Sequence, residues 1–413
     1  MGIELGAKNL YKAYGVPSLD LTFADKKSLV DRISGNNLIT FTRSSTATYV
    51  GSDGLIQTAA SGAARFDHNP TTGESLGLLV EEARTNFVRQ SETFGTTWTL
   101  FRASIVADST ASPDGAATAD TMVEDTTVTS SHGTVQTINL TAATYTFTIF
   151  LKAAGRNWVN INPSDSTDHR TWFDFSNGVV GTNAAGNTSS IKAYPNGWYR
   201  CTITRTMDQV SCAFQISLTT GDNVAVYSGD GTSGAYIWGA QIEAGAFPTS
   251  YIPTSGSTVT RAADVASMTG SNFSSWFNQS AGSLFGSFVS LSNGANAPIA
   301  AFSQTSNPEA NRISLRIASS FCFTNSVVQF SFPTSYTANQ STKVAWGFGS
   351  TATYYKNGTL IGTDSSVTLP ATIDIMTIGT LEANAGFPIN GTIARLTFYP
   401  VRLPDATLQS LTQ

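Results

Sequence analysis

The chain has 413 residues, of which 12% are charged and 41% hydrophobic, and its formal net charge at pH 7 is −5. The charged fraction is about half of the roughly 25% typical of soluble domains, whereas 24 Phe, 13 Tyr and 7 Trp supply apolar surface for packed cores. These values exclude a globally disordered chain, and the lack of any block of Lys or Arg argues against a nucleic-acid partner.

No segment reaches the roughly 18 consecutive apolar residues of a membrane-spanning helix, so we expect no membrane insertion. The first eight residues lack the apolar core of a signal peptide. Cys201, Cys212 and Cys322 are an odd number of cysteines and indicate no disulfide framework. We therefore expect folding in a reducing cytosol, with Cys201 and Cys212 as small core residues on neighbouring strands.

Hydrophobic and polar residues alternate along most of the chain, which is the period-two pattern of half-buried strands. The clearest runs, in chain order, are residues 38–42, 46–50, 145–151, 235–242, 282–288 and 343–348. Asp-Gly and Asn-Gly pairs between the runs are typical of hairpin turns. The best helical pattern is residues 404–411, where Pro404 and Asp405 precede Leu408 and Leu411 on one face. Together these patterns predict an all-β protein of antiparallel sandwiches.

Changes in the pattern of strands and turns divide the chain into three regions, as expected from about 100–200 residues per domain. Residues 1–85 mix polar turns with short strands, residues 86–260 carry a long strand series, and residues 271–413 carry a second series. Residues 247–256, which contain Pro and Ser, read as an extended linker. No repeat of 20–50 residues is visible, which disfavours a solenoid or a propeller.

Two short motifs match enzyme fingerprints but lack the required context. Residues 229–234 (GDGTSG) fit the dinucleotide fingerprint, yet a strand pattern follows where a helix is needed, so a hairpin loop explains the glycines better. Residues 73–77 (GESLG) fit a nucleophile elbow, yet a turn precedes Ser75 and a strand pattern follows it. Neither motif predicts a catalytic or cofactor-binding residue.

Glu81 and Glu82 are adjacent carboxylates that could be mistaken for a catalytic pair. Neighbouring side chains on a strand point to opposite faces, so the two cannot share one substrate. Because Arg65 and Arg84 are close in sequence, structural ion pairs are the better interpretation.

One polar cluster lies between two tryptophans. Asp165, Asp168 and His169 fall between Trp158 and Trp172, which makes these five residues candidates for contact with a glycan. An oxygen-ligand Ca²⁺ site is conceivable there, but a solvated loop is the simpler interpretation because loops are polar by default. With three histidines and no recognised ligand spacing, the sequence predicts no metal-binding residue and no cofactor.

Residues 39–50 (ITFTRSSTATYV), 65–68 (RFDH) and 77–86 (GLLVEEARTN) form one set of recognisable segments, and residues 196–201, 237–245 and 250–254 form a second set. The first set resembles the opening of a bacteriophage virion protein family that is described as head-spike-fibre or tail-fibre-like, and the second set resembles that family's carbohydrate-binding-like jelly-roll module. The C-terminal stretch is similar to concanavalin A-like, or laminin-G-like, domains; the similar positions are residues 345–346, 354–362, 378–379, 391–396 and 402–411.

The resemblance implies two antiparallel β-sandwiches, a jelly roll over residues 86–260 and a concanavalin A-like domain over residues 271–413. A smaller β-rich region, residues 1–85, would attach the protein to the virion. The implied role is a non-enzymatic fibre, spike or decoration protein of the virion, assembled in the host cytoplasm. Its implied partners are capsid or tail proteins, further copies of itself, with a trimer favoured, and glycans of the host surface.

Two other functions stay open: a purely structural assembly protein without glycan contact, and a polysaccharide-degrading enzyme. A cleft with two carboxylates about 5–9 Å apart would favour the enzyme, whereas exposed aromatic and amide groups without an acid pair would favour a lectin. If the protein is a detachable adhesin, we expect the first 25 or so residues to be the anchor, and their deletion to leave both sandwiches folded.

Overall fold

The computed structural model describes residues 15–165, 167–208, 211–291, 297–317, 319–333, 335–381 and 387–413. Its regular secondary structure is almost entirely β-strand, and the pairings between the described strands are antiparallel. The protein is therefore all-β, as the period-two pattern predicted. Within the described ranges, no helix is long and apolar enough to cross a membrane.

The elements follow the chain in three groups. The first group is β1 (Leu19–Leu21), α1 (Phe23–Lys26), β2 (Thr40–Thr42), β3 (Ala47–Val50), β4 (Ile56–Ala59), β5 (Arg65–His68), β6 (Ser75–Val80) and β7 (Arg84–Asn86). The second is β8 (Thr99–Phe101), β9 (Ala103–Thr110), β10 (Ala119–Glu124), β11 (His132–Asn139), β12 (Ala143–Ala154), β13 (Trp158–Ser164), β14 (Thr171–Asp174), β15 (Val179–Asn183), β16 (Thr188–Ala193), a 3₁₀ turn (Pro195–Gly197), β17 (Tyr199–Met207), β18 (Ser211–Thr219) and β19 (Gly234–Ala244). The third is β20 (Val259–Arg261), β21 (Val265–Thr269), α2 (Ser271–Ser274), β22 (Gly282–Ser290), β23 (Pro298–Ser303), β24 (Arg312–Arg316), β25 (Ser319–Thr324), β26 (Val327–Pro333), β27 (Thr342–Phe348), β28 (Ala352–Lys356), β29 (Thr359–Asp364), β30 (Ile375–Ile378), β31 (Gly391–Tyr399) and α3 (Asp405–Leu411).

The second group forms a central sandwich of two sheets, each of six strands among the described residues. One sheet, called the cleft sheet below, has the order β16-β17-β12-β19-β10-β9, and the other has the order β15-β14-β13-β18-β11-β8. Alternate side chains meet between them: Phe147 pairs with Ile203 in the cleft sheet and packs edge-on against Phe214 of the opposite sheet. Cys201 and Cys212 are fully buried in this core, one on each sheet, which confirms their predicted role as small core residues.

The C-terminal sandwich also has two sheets, but strands from the start of the chain complete both of them. In the described residues, the order β29-β28-β27-β22-β31-β6-β5, with β1 beside β31, forms an eight-stranded sheet. The order β2-β21-β30-β23-β24-β25-β26 forms a seven-stranded sheet. The boundary predicted at residue 85 therefore separates strands that share a sheet, although the three-part division itself stays a prediction. The predicted C-terminal helix is present as α3, with Leu408 buried against the eight-stranded sheet.

The start of the described chain is part of this core and contradicts the expectation that both sandwiches fold without residues 1–25. Leu19, Leu21 and Phe23 are fully buried in the C-terminal core, and β1 pairs with β31 from Leu19↔Phe398 to Leu21↔Leu396. Between the two leucines, the buried carboxylate of Asp20 accepts hydrogen bonds from Arg395. Residues 1–14, which the same prediction included, lie outside the described residues.

Residues 247–256, the predicted extended linker, pack into the junction between the two sandwiches instead of forming a free linker. Tyr251 and Ile252 are buried, and the Ile252 N–H donates to Gln241 Oε1 at 2.7 Å. Tyr251 packs on Trp238, on the face of the cleft sheet turned away from the central core. The segment thereby fixes one side of the cleft described below.

Candidate functional site

The predicted polar cluster lies in the turn between β13 and β14, where its groups bind one another. Asp165 Oδ1 is 2.9 Å from His169 Nε2, and Asp168 Oδ2 is 2.8 Å from Arg170 Nη1. Asn162 Nδ2 donates to Asp168 Oδ1 at 2.8 Å, and the His169 N–H donates to Asn162 Oδ1 at 2.7 Å. These bonds explain an ordered polar turn without any ligand. Across the described residues, no group of three or more His, Cys, Asp or Glu side chains could hold a metal ion.

The two tryptophans of the predicted site do not join this turn. Trp158 begins β13 and is six residues from Ser164 at its end, so about 20 Å of strand separates it from the turn. Trp172 is buried, pairs with Asn160, and donates its Nε1–H to Val224 O at 3.1 Å. The glycan-binding role of these five residues stays a prediction, but they do not form one compact site.

The two rejected enzyme motifs also have ordinary places in the fold. Ser75 begins strand β6 instead of standing on a strand-to-helix turn. Residues 229–233 form the loop that leads into β19, which begins at Gly234, so a strand follows the motif as the sequence pattern indicated.

Glu81 lies in a buried charge cluster at the junction of the two sandwiches, where it forms the predicted pair with Arg65. Arg65 Nη1 is 2.8 Å from Glu81 Oε2, and Arg261 Nη1 binds the same oxygen. Ser250 donates to both carboxylate oxygens, through its N–H and its hydroxyl, at 2.7 Å each. Burial alone would raise the pKa of Glu81, but Arg261, Arg65 and Ser250 outweigh it and hold that pKa below its usual range. Glu81 is therefore a charged structural group whose oxygens are already occupied.

A cleft of about 560 Å³ lies beside this cluster. One wall is the outward face of the cleft sheet, and another is the β3–β4 hairpin with residues 247–251. The C-terminal sandwich closes the third side. Many lining side chains are apolar: Val50, Ile56, Leu76, Leu79, Phe150, Phe247, Pro248, Val289 and Leu291. The size falls within the range of about 300–1,000 Å³ common for small-molecule sites.

Two cations face each other on the sheet wall of this cleft. Lys192 on β16 is the direct cross-strand partner of Arg200 on β17. Both strands alternate, so Cys201 faces the central core while Lys192 and Arg200 face the cleft. Lys192 is solvent-exposed, yet the surrounding walls lower its pKa by desolvation, and Arg200 lowers it further.

Asp67, on β5, is the one carboxylate of the cleft lining that keeps an oxygen free in the described structure. The Val50 N–H donates to its Oδ1 at 2.7 Å, and no described donor bonds to Oδ2. Burial between the walls raises the pKa of Asp67 from 3.8 to about 6, against the opposing effects of the Val50 N–H and Lys192. Asp67 therefore titrates close to neutral pH in the cleft, whereas Glu81 remains charged.

Sequence reasoning missed the cleft because its lining residues come from many separate stretches of the chain, between Thr48 and Thr392. The available signal was local: the outward side of β16 and β17 is polar, with Ser190, Lys192, Arg200 and Thr202 at alternate positions. That pattern is also typical of an ordinary solvated sheet face. Only the packing of the β3–β4 hairpin and residues 247–251 over this face makes it a cleft.

Comparison with known proteins gives partial structural similarities only. No family model matches the sequence, and no curated protein matches it. The Ruminococcus gnavus IT-sialidase CBM40 bound to α2,3-sialyllactose is 17% identical, with a TM-score of 0.31, over 34% of this chain and 88% of that chain. The NanB sialidase of Streptococcus pneumoniae is 15% identical, with a TM-score of 0.31, over 36% of this chain and 26% of that chain. A heptameric SAP-like pentraxin of Limulus polyphemus is 11% identical, with a TM-score of 0.25, over 32% of this chain and 70% of that chain.

Proposed function

We propose that the protein is a non-enzymatic glycan-binding protein and that its ligand occupies the cleft between the sandwiches. The observation that carries this proposal is the composition of the cleft, where apolar side chains lie beside polar side chains that include Asp67, Lys192, Arg200 and Tyr194. A sugar ring also has both apolar and polar surface, because its C–H faces pack on apolar side chains while its hydroxyls need hydrogen-bond partners. Pockets of this kind bind ligands through apolar contact and fix their orientation with a few polar groups.

The cleft chemistry favours binding over hydrolysis. Glycoside hydrolysis by the common mechanism uses two carboxyl groups, one as an acid and one as a base or nucleophile. Among the described lining residues only Asp67 and Glu81 carry carboxyl groups, and the oxygens of Glu81 are held by Arg65, Arg261 and Ser250. A single available carboxyl group can accept hydrogen bonds from sugar hydroxyls but leaves that mechanism without its second member.

We extend the proposal to a bacteriophage virion protein: a fibre, spike or decoration that presents this cleft to glycans on the host surface. The support is the sequence resemblance of separate short segments: residues 39–50, 65–68, 77–86, 196–201, 237–245, 250–254, 345–346, 354–362, 378–379, 391–396 and 402–411. Partners would be other capsid or tail proteins and further copies of the chain, with a trimer favoured. A purely structural protein without glycan contact is the alternative for the same fold.

The binding proposal is tested with the purified full chain on an array of bacterial and plant polysaccharides. Ser190 is exposed on the cleft wall, so Ser190→Trp would fill the cleft without disturbing a core. Ser104→Trp is the matched control, because Ser104 is exposed on β9 of the same sheet and does not line the cleft. We expect binding by the wild type and the control and its loss in Ser190→Trp. Absence of binding, or binding that Ser190→Trp leaves unchanged, would overturn the proposal.

Two further measurements separate the alternatives. Release of reducing ends from a bound polysaccharide would favour the enzyme and contradict the non-enzymatic proposal. Electron cryomicroscopy of particles of a phage that encodes the protein would show whether it lies on the capsid, on the tail or on neither. Absence from the particle would overturn the virion part and leave the glycan-binding part to stand on the array.

A further inference from the structure

Lys192 and Arg200 form an unusual pair, because they have the same charge and lie directly opposite each other on adjacent strands. Directly opposed residues have Cβ atoms about 4.5–5.5 Å apart, and like charges in that position destabilise a sheet. Arg200 also lowers the pKa of Lys192, although desolvation has the larger effect. The fold therefore maintains two cations in a cleft at a cost in stability.

The contacts of Arg200 leave its charge unneutralised. Its Nη2 donates to Thr249 O at 2.9 Å and to Thr148 Oγ1 at 3.2 Å, and its guanidinium lies 5.6 Å from the centre of the Phe150 ring. The Arg200 Nε is buried and has no hydrogen-bond partner in the described structure. In the part of the chain that the structure describes, neither Arg200 nor Lys192 forms a salt bridge; Asp67 attracts Lys192 only at longer range.

At the junction beside the cleft, another pair of cations lies close together, and there a carboxylate binds both of them. There the Glu81 carboxylate lies between two arginines, Arg65 and Arg261, and also accepts hydrogen bonds from Ser250. In the cleft, the two cations Lys192 and Arg200 have no carboxylate of the described residues between them. A carboxylate supplies two oxygens, so it can bind both cations at once, and such charge-assisted bonds are about twice as strong as neutral ones.

We propose that Lys192 and Arg200 together bind the carboxylate of an acidic sugar, so that the cleft selects acidic over neutral glycans. The choice of a sugar rests on the function proposed above, whereas the anion site itself rests only on the paired cations. An anion between them relieves their repulsion and gives the buried side of Arg200 a charged neighbour. The apolar walls then contact the rest of the ligand.

The anion site is tested first without any sugar. The ¹H–¹⁵N signals of arginine side chains in the full chain are followed during titration with sodium acetate, with sodium chloride at equal ionic strength as the reference. Acetate is expected to shift the Arg200 Nε–H signal with a saturating curve. The Lys192→Gln variant should weaken that curve, and Arg205→Gln is the matched control. Arg205 is on the same strand, bonds to Ala185 O and Asn187 Oδ1, and does not line the cleft.

The second arm compares trigalacturonic acid with its carboxyl-reduced, neutral counterpart by calorimetry. The acid is expected to bind about tenfold more tightly, and the Lys192→Gln/Arg200→Gln double variant should remove that difference. An absent acetate response at Arg200, or equal binding of the two trisaccharides, would overturn the acidic preference even if neutral glycans bind the array. A clear acetate response with no glycan binding on the array would instead overturn the proposed function and retain the anion site.

Discussion

Arg65 and Glu81 lie against each other where the two sandwiches meet, with Arg65 Nη1 2.8 Å from Glu81 Oε2 and both side chains buried. Arg65 also binds Asp264 through its other terminal nitrogen, and Asp264 accepts a further bond from Arg43 at 3.0 Å. Each partner comes from a different part of the chain. The cluster therefore connects the start of the chain to the segment that follows the central sandwich.

Glu81→Gln should destabilise the protein strongly. Removal of one member of a buried charge cluster leaves its partners uncompensated, and such changes cost about 3–5 kcal/mol. The free energy of unfolding, measured by urea denaturation at neutral pH, should fall by that amount. Glu82→Gln is the control. Glu82 pairs with Arg84, but its side chain is 34% exposed, so the free energy of unfolding should fall by less than about 1 kcal/mol. Equal losses in the two variants would contradict the structural role of Glu81.

Asp20→Ala should weaken the C-terminal sandwich. Asp20 is buried between Leu19 and Leu21, and Arg395 binds both of its oxygens, at 2.9 and 3.0 Å. Loss of this buried partner should cost about 3 kcal/mol or more of the free energy of unfolding. Asp25→Ala is the matched control, since Asp25 is exposed and pairs only with Lys26, and should cost less than about 0.5 kcal/mol. An unchanged stability of Asp20→Ala would restore the expectation that the start of the chain is dispensable for folding.

The local features of the fold were predictable from the sequence because they depend on neighbouring residues. Alternation of apolar residues predicted the strand at residues 145–151, and β12 contains it. Pro404 and Asp405, followed by leucines on one face, predicted α3. The interpretation of Glu81 and Glu82 as members of structural ion pairs is confirmed by their bonds to Arg65 and Arg84, although both residues follow the end of β6 instead of lying on a strand.

The long-range features were not predictable, because local sequence patterns do not show which strand edges meet. The pairing of β1 with β31 joins residues more than 370 positions apart, such as Leu19 and Phe398. The same limit applies to the cleft, whose wall at Lys192 becomes a site only when Tyr49, Val50 and Phe247 pack near it. Asp165, Asp168 and His169 were predicted as a site instead, because they are close together in the sequence.

The three thiols should be unreactive in the native protein. Cys201, Cys212 and Cys322 are fully buried, and burial raises the pKa of Cys212 and of Cys322 to about 12. A thiol reagent at about pH 8 should therefore modify none of them until urea unfolds the chain, because the thiolate is the reactive form. Ser104→Cys, which places a thiol at an exposed position on β9, should react at once and serves as the positive control. Rapid modification of a second thiol in the folded variant would contradict the described core.

Asp67→Asn should stabilise the protein at neutral pH. The folded-state pKa of Asp67 is about 6, above its ordinary 3.8, so the folded chain binds more protons than the unfolded chain between those values. Stability should therefore fall as the pH rises from about 4 to 6, by up to about 3 kcal/mol for this shift. Asp67→Asn keeps an oxygen for the Val50 N–H and removes the titration. Urea denaturation across this pH range should give a flatter profile for the variant, and an identical profile would contradict the raised pKa.

The pH should also control anion binding in the cleft. The charged groups that act on Asp67 are Lys192, Arg65 and Glu81. Arg65 and Glu81 form an ion pair, and their ionisation does not change above about pH 5 because the pKa of Glu81 is lowered. As the pH falls from about 7.5 to 5.5, Asp67 becomes neutral and no longer offsets Lys192 and Arg200, so anion affinity should rise by on the order of 3- to 10-fold. Sulfate is the probe, because its charge is constant over this range, and the Arg200 Nε–H signal gives the affinity. Asp67→Asn should bind sulfate with the higher affinity at both pH values. An affinity that rises equally in the wild type and in Asp67→Asn would assign the pH effect to another group and overturn this role of Asp67.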